Sequence, residues 1–281
     1  MSLVDRIKAQ LDRRGLRSVI SPVVSILARR QDNGVRRIFY DDGVWIHDTS
    51  CGYFAYHQPY LCLNLAQLDE FARTVFFRGY TPRAGDVIMD VGAGVGEETL
   101  TFSRAVGEHG KVIGIEAHPR TFRCLQKLVQ YNRLRNVLAI HRAVTEPGCR
   151  VAAIEDSSEY LRNRMGRGGK FSVPAATVDE IHRKLELGRI HFLKMNIEGA
   201  ERLAVRGMTE TLRQTEVLCV ACHDFLADQS ADDSLRTKSE VRQFFQRYGL
   251  TVVERPEPRL PPFVRDQVWA YNEPLMQEAA S

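Results

Sequence analysis

The sequence predicts an α/β fold: a seven-stranded, mostly parallel sheet with helices on both faces, closed by an antiparallel hairpin. Three observations carry this prediction. From Asp86 onward, short apolar runs alternate with segments of helical periodicity, the pattern of a parallel sheet wrapped by helices. The first of these runs, VIMDV at 87–91, leads directly into a glycine-rich turn. On such sheets ligands bind beyond the carboxyl ends of the strands. The last two runs, LTVVER at 250–255 and QVWAYN at 267–272, are spaced to form an antiparallel pair.

Residues 1–60 read as a helical and hairpin extension, and 61–281 as the main domain. Leu3, Ile7 and Leu11 recur at helical spacing, as do Leu16, Val19, Ile20, Val23 and Leu27 after Gly15. Pro22 sits in the first turns of the second helix or kinks it. RRIFYDDGVWIHD reads as two short strands around Asp42-Gly43. Asn64 to Tyr80 has helical periodicity and stops before Thr81-Pro82. The main domain continues with strands at 87–91, 111–117, 136–144, 190–197 and 217–222. Helices follow the glycine turn, Pro119, VDEIHRKL, EGAERLAVRGM and KSEVRQFFQRYG. A polar, glycine-containing excursion at 156–170 carries Arg162, Arg164, Arg167 and Lys170. It reads either as a solvated loop or as a cover that favours an anionic acceptor.

A chain of 281 residues with 44% hydrophobic and 26% charged residues is an ordinary globular composition. The net charge of +4 does not call for nucleic acid. The excess is concentrated: Met1 to Arg37 holds nine Lys or Arg against three Asp. Such a basic, apolar-striped arm can contact a membrane surface or a second subunit. Six scattered cysteines, mostly in apolar runs, read as free thiols in a reducing compartment. No signal-like apolar segment opens the sequence, and a cytoplasmic location is expected.

The turn Asp90-Val91-Gly92-Ala93-Gly94-Val95-Gly96 selects the ligand. Gly92 and Gly94 permit a tight turn and close approach of a ligand to the backbone. A dinucleotide fingerprint would need a third glycine where Glu97 stands. An acid at that helix start opposes a pyrophosphate. S-adenosylmethionine has no phosphate, and its ammonium suits an acid such as Asp90. Glu116, 26 residues on at the end of the second strand, is placed to accept both ribose hydroxyls.

With these residues in view, the chain resembles the FkbM-type methyltransferases of the class I S-adenosylmethionine-dependent enzymes. The matching stretches are GDVIMDVGAGVGEETL, VIGIEAHPRTFRCLQKLVQYNRLRN, VPAATVDEI and LKMNIEGAERLAVRGM. They run from about Gly85 to Met208, with His223 just beyond. The resemblance implies a Rossmann-like fold and methyl transfer, often to a hydroxyl of a sugar or secondary metabolite. It assigns Asp90, Gly92, Ala93 and Gly94 to the methionine part of the cofactor and Glu116 with Ala117 to the ribose. Ala143 and Val144 match the positions beside the adenine. Two positions depart from the family pattern. Asn196 stands where an aspartate is usual, and Ala221 where a glutamate is usual. With both acids missing, no metal site is expected.

A hydroxyl acceptor needs a base, and Glu198 and His223 are candidates at the carboxyl end of the sheet. Glu201, a turn further along, reads as structural. Asn196 cannot be a base, but it can orient an acceptor or contact the cofactor amine. Two other functions compete: a non-catalytic binding protein on the same fold, and a nicotinamide-dependent oxidoreductase, which Glu97 disfavours. The spacing C-x-x-C-H in CVACH (219–223) matches a haem-attachment signal. In an extended strand the two thiols diverge, so Cys219 and Cys222 read as core residues and only His223 as functional.

Overall fold

The computed structural model describes residues 16–30, 34–61, 64–156, 165, 168–230, 232–255 and 259–278. The helix read from Leu3, Ile7 and Leu11 lies outside the described residues. So do Arg162, Arg164 and Arg167 of the polar excursion.

The amino-terminal part is a helix on a small sheet. Helix α1 (Arg17–Arg29) contains Pro22 and lies against strand β1 (Val35–Asp41). Ile20 and Ala28 are buried there, and the Ser21 and Ser25 hydroxyls donate to the Ile38 carbonyl at 2.6 and 2.9 Å. β1 pairs antiparallel with β2 (Val44–Thr49) through a turn with positive φ at Asp42 and Gly43, as a two-residue hairpin requires. The sequence predicts two strands here. The structure adds β3 (Gly52–Tyr56), paired antiparallel with β2. Helix α2 (Leu65–Phe71) follows and continues as a π-helical turn over Ala72–Phe76, where one uninterrupted helix to Tyr80 is predicted.

The main sheet begins with β4 (Val87–Val91), followed by helix α3 (Glu97–Val106), β5 (Lys111–Glu116), helix α4 (Pro119–Tyr131) and β6 (Val137–His141). A side sheet consists of β7 (Ala143–Val144), β8 (Val151–Ile154) and β9 (Phe171–Ala176). Helix α5 (Val178–Lys184) leads to β10 (Ile190–Met195), and helix α6 (Glu201–Arg206) to β11 (Thr215–Ala221). Helices α7 (Asp224–Ser230) and α8 (Lys238–Arg247) precede β12 (Thr251–Glu254) and β13 (Gln267–Tyr271).

The main sheet has seven strands in the order β12-β13-β11-β10-β4-β5-β6. All its pairings are parallel except those of β13, which runs antiparallel to both β11 and β12. The predicted closing pair is therefore present, with the last strand inserted beside β11. The run 136–144 divides at Arg142, and Ala143–Val144 leaves the main sheet to pair with β9. The chain starts at the centre with β4, builds outward through β5 and β6, then returns to the other side of β4 with β10. A cleft opens where the strand order reverses in this way.

Apolar layers cover both faces. Leu193, Met195, Leu218 and Phe245 belong to one, and Ile88, Phe192, Cys219 and Trp269 to the other. The amino-terminal sheet joins α3 and α4 through a third cluster that includes Trp45, Leu100, Cys124 and Leu128. CVACH is resolved by this layering. Cys219 and Cys222 are fully buried in opposite layers, with their thiols pushed up by burial. They cannot hold one haem between them.

Candidate cofactor and acceptor site

The cleft lies at the carboxyl ends of β4, β5 and β10. Its floor is the turn after β4, where Gly92, Gly94 and Gly96 have φ of 76°, 58° and 96°, a region L side chains avoid. The Gly92 and Ala93 N–H groups donate to the Ile115 carbonyl at 2.8 and 2.9 Å. A Cβ on Gly92 would stand 1.9 Å from the carbonyl oxygen of Asn196. The glycine turn and the loop after β10 are thus packed backbone to backbone.

Gly92, Gly94, Glu116, Ala117, Ala143 and Val144 line this cleft. Glu116 accepts the N–H of Gly94 at 3.0 Å and of His118 at 2.8 Å. Burial pushes its carboxyl up to about 7, against the pull of these two N–H groups. Remaining oxygen lone pairs can accept a diol.

Asp90 sits elsewhere. It is fully buried and is not among the lining residues described, nor is Ala93. Its oxygens take the Thr99 hydroxyl at 2.7 Å and the Lys194 ammonium at 2.9 Å. Lys194 also donates to the Gly92 carbonyl at 2.7 Å. Burial opposes its charge, but Asp90 and Glu98 outweigh burial and raise its pKa. Asp90 thus braces the turn through Lys194, and Ala93 is a buried residue of the turn itself. Lys194 was not among the residues predicted for the site. A lysine inside the apolar run of a central strand is rare unless paired, and that anomaly in HFLKM was its signal.

Two more acids line the cleft at the start of α3. Glu97 accepts the Tyr56 hydroxyl at 2.5 Å, so the amino-terminal sheet reaches the cleft wall. Burial, with Glu98 beside it, pushes the Glu97 carboxyl up to about 7. Glu98 is likewise raised by burial. Two carboxyl groups where a pyrophosphate would meet the helix are the wrong chemistry for a dinucleotide.

The opposite wall is built by the loop after β10. Asn196 and Glu198 line it. The Asn196 Oδ1 atom is buried and has no hydrogen-bond partner among the described residues. Glu198 adopts φ of 54°, a left-handed conformation unfavourable for a residue with a side chain. Behind it, His223 is 5% exposed and engages both ring nitrogens. Nε2 lies 3.3 Å from Glu198 and Nδ1 3.1 Å from Glu201. Burial opposes the charged ring, but the two carboxylates outweigh it and push its pKa up to about 10. Glu201 is fully buried and also accepts the Gly199 N–H and the Thr237 hydroxyl. Burial opposes its charge, but His223 holds its pKa low. The structure thus brings Glu198, Asn196 and His223 together. Glu198 and Asn196 face the cleft, while His223 backs them.

A family model described as the methyltransferase FkbM domain matches residues 90–251. The chain belongs to the FkbM methyltransferase family. Among solved structures, it is similar to an FkbM methyltransferase from Methylobacillus flagellatus, with 15% identity and a TM-score of 0.48. That match covers 72% of this chain and 47% of the other, so this FkbM protein spans about half the length of that relative. It is also similar to fibrillarin from Aeropyrum pernix in complex with S-adenosyl-L-methionine, with 17% identity, a TM-score of 0.42, and coverage of 83% and 96%. A third is TYW2 from M. jannaschii in complex with AdoMet, with 14% identity, a TM-score of 0.42, and coverage of 84% and 88%. No curated protein matches the chain. Family membership rests on the domain match.

The cofactor of this methyltransferase family is S-adenosylmethionine, and the residues present fit it. Glu116 offers a carboxylate for a diol, and the unpaired Asn196 Oδ1 offers an acceptor for an ammonium. Ala143 and Val144 offer an apolar wall for a base.

Proposed function

We propose that this FkbM family member transfers a methyl group from S-adenosylmethionine to a hydroxyl of a sugar or secondary metabolite. The observation that carries the reading is Glu198. Its carboxylate faces the cleft beside Asn196 and is held from behind by a charged His223. S-adenosylmethionine, when bound, supplies a methyl group activated by its sulfonium.

The protein's own residues do the remainder. Asn196 orients the acceptor or the cofactor amine. Glu198 accepts the hydroxyl proton as the oxygen gains its methyl group. His223, with both nitrogens engaged, has no free lone pair at neutral pH. The base role therefore passes from His223 to Glu198, and His223 becomes a positioning residue that disperses charge toward Glu201. The carboxylates on the cleft walls favour hydroxyl-rich acceptors over anionic ones. Lys170, the described cation of the polar excursion, pairs with Asp156 at 2.6 Å. A small-molecule acceptor without nucleic acid, and a cytoplasmic location, belong to the same proposal.

Incubating a cell extract with enzyme and methyl-labelled cofactor, followed by mass spectrometry, tests it. The expected result is a labelled ether that disappears with Glu198→Gln, whose turnover falls about 10²–10⁴-fold while cofactor affinity is kept. Cofactor binding without any labelled product would favour the non-catalytic reading. A labelled amine or carbon product would refute O-methylation.

A further inference from the structure

We infer that the outward face of α1 docks on an anionic membrane surface. Helix α1 is apolar on two sides. Ile20 and Ala28 are buried against the small sheet, where Ser21 and Ser25 tie the helix to Ile38. On the other side, Val23, Ile26 and Leu27, with Leu16 at the N-cap, are 51%, 46%, 41% and 43% exposed. At 3.6 residues per turn these four span a sector of about 100°. Arg29 and Arg30 are exposed at its carboxyl end.

Charge selects the occupant. The helix contains no acid, and residues 1–37 hold nine basic residues against three acidic ones. A second copy of the same face would set arginines against arginines. The fifteen residues before Leu16 are themselves basic, with Arg6, Lys8, Arg13 and Arg14 against Asp5 and Asp12, so they offer no countercharge either. An anionic lipid surface offers both the missing charge and an apolar layer deep enough for four side chains. Among the described residues no helix is long and apolar enough to cross a membrane, so the helix lies in the interface plane. This inference is independent of the methyl-transfer reading.

The test is sedimentation of the full chain with phosphatidylcholine vesicles, alone or with roughly one-third phosphatidylserine. Binding is expected only to the anionic vesicles and should weaken as salt is raised. The variant Val23→Glu/Ile26→Glu should lose about ten-fold or more of this partitioning. Arg29→Ser/Arg30→Ser should lose about five-fold per charge removed. All these side chains are exposed, so the melting curve and cofactor affinity should not change. Absence of binding, equal binding to neutral vesicles, or full binding by both variants would overturn the inference. So would a wild-type dimer in light scattering that Val23→Glu/Ile26→Glu converts to a monomer, because a second copy would then be the occupant.

Discussion

At the residue scale, the site depends on two buried groups whose charges are compensated by neighbours. Lys194 holds Asp90 and the Gly92 carbonyl together. Lys194→Met leaves Asp90 buried without its cation. It should cost about 3–5 kcal/mol of stability in denaturant unfolding and weaken cofactor binding. Adding Asp90→Asn should recover most of the stability, because the uncompensated charge is then gone. Glu116 makes a different prediction. In its proposed role of accepting both ribose hydroxyls it must be ionised, and burial pushes its pKa up to about 7. Cofactor affinity should therefore fall as pH drops below about 7, and Glu116→Gln should bind weakly with no such dependence. Titration calorimetry across pH checks both. The glycines and Glu116 were legible because backbone sterics and nucleoside chemistry restrict what can stand there. Lys194 was passed over because an apolar run is read for its apolar members.

At the element scale, the glycine turn and the loop after β10 form one packed unit. Gly92→Ala places a Cβ against the Asn196 carbonyl in a left-handed backbone. It should cost about 2–4 kcal/mol and abolish cofactor binding, read by melting temperature and calorimetry. Most main-sheet strands were legible from short apolar runs between turn signals. The side sheet was not. Its β7 has two residues and β8 only four, too short for periodicity to register. Strand β3 was missed for a related reason, since GYFAY alternates poorly and follows its partner after a brief turn. The carboxyl-terminal pair was legible as a hairpin. Its insertion beside β11 is a long-range pairing that local pattern does not encode.

At the scale of the whole molecule, the chain Glu198–His223–Glu201 couples stability to pH. His223 has its pKa raised from 6.5 to about 10 by its carboxylate partners. Its stabilising contribution is therefore fully present below about pH 6.5 and lost as pH rises through 10. Glu201, with its pKa lowered from 4.5, contributes above about pH 4.5 and loses this as pH falls further. The stability gap between wild type and His223→Gln should be widest between pH 4.5 and 6.5 and should close toward pH 10. Denaturant unfolding at several pH values measures it. A gap that does not vary with pH would mean that His223 is neutral in the fold. The sequence brought Glu198 and His223 to the same end of the sheet but not into contact. In the structure Glu198 has a left-handed backbone and lies 3.3 Å from His223 Nε2, a long-range contact that local pattern does not encode.

The close approach of Gly92 to Asn196 also bears on redesign. Because one backbone leans on the other, the segment 196–199 has little room to be reshaped without moving the glycine turn. A programme to change acceptor choice would do better to leave that wall alone and vary Glu97 on the facing one. Glu97 is tied to the amino-terminal sheet by the Tyr56 hydroxyl rather than by backbone packing, so alternatives there leave the contact between Gly92 and Asn196 in place.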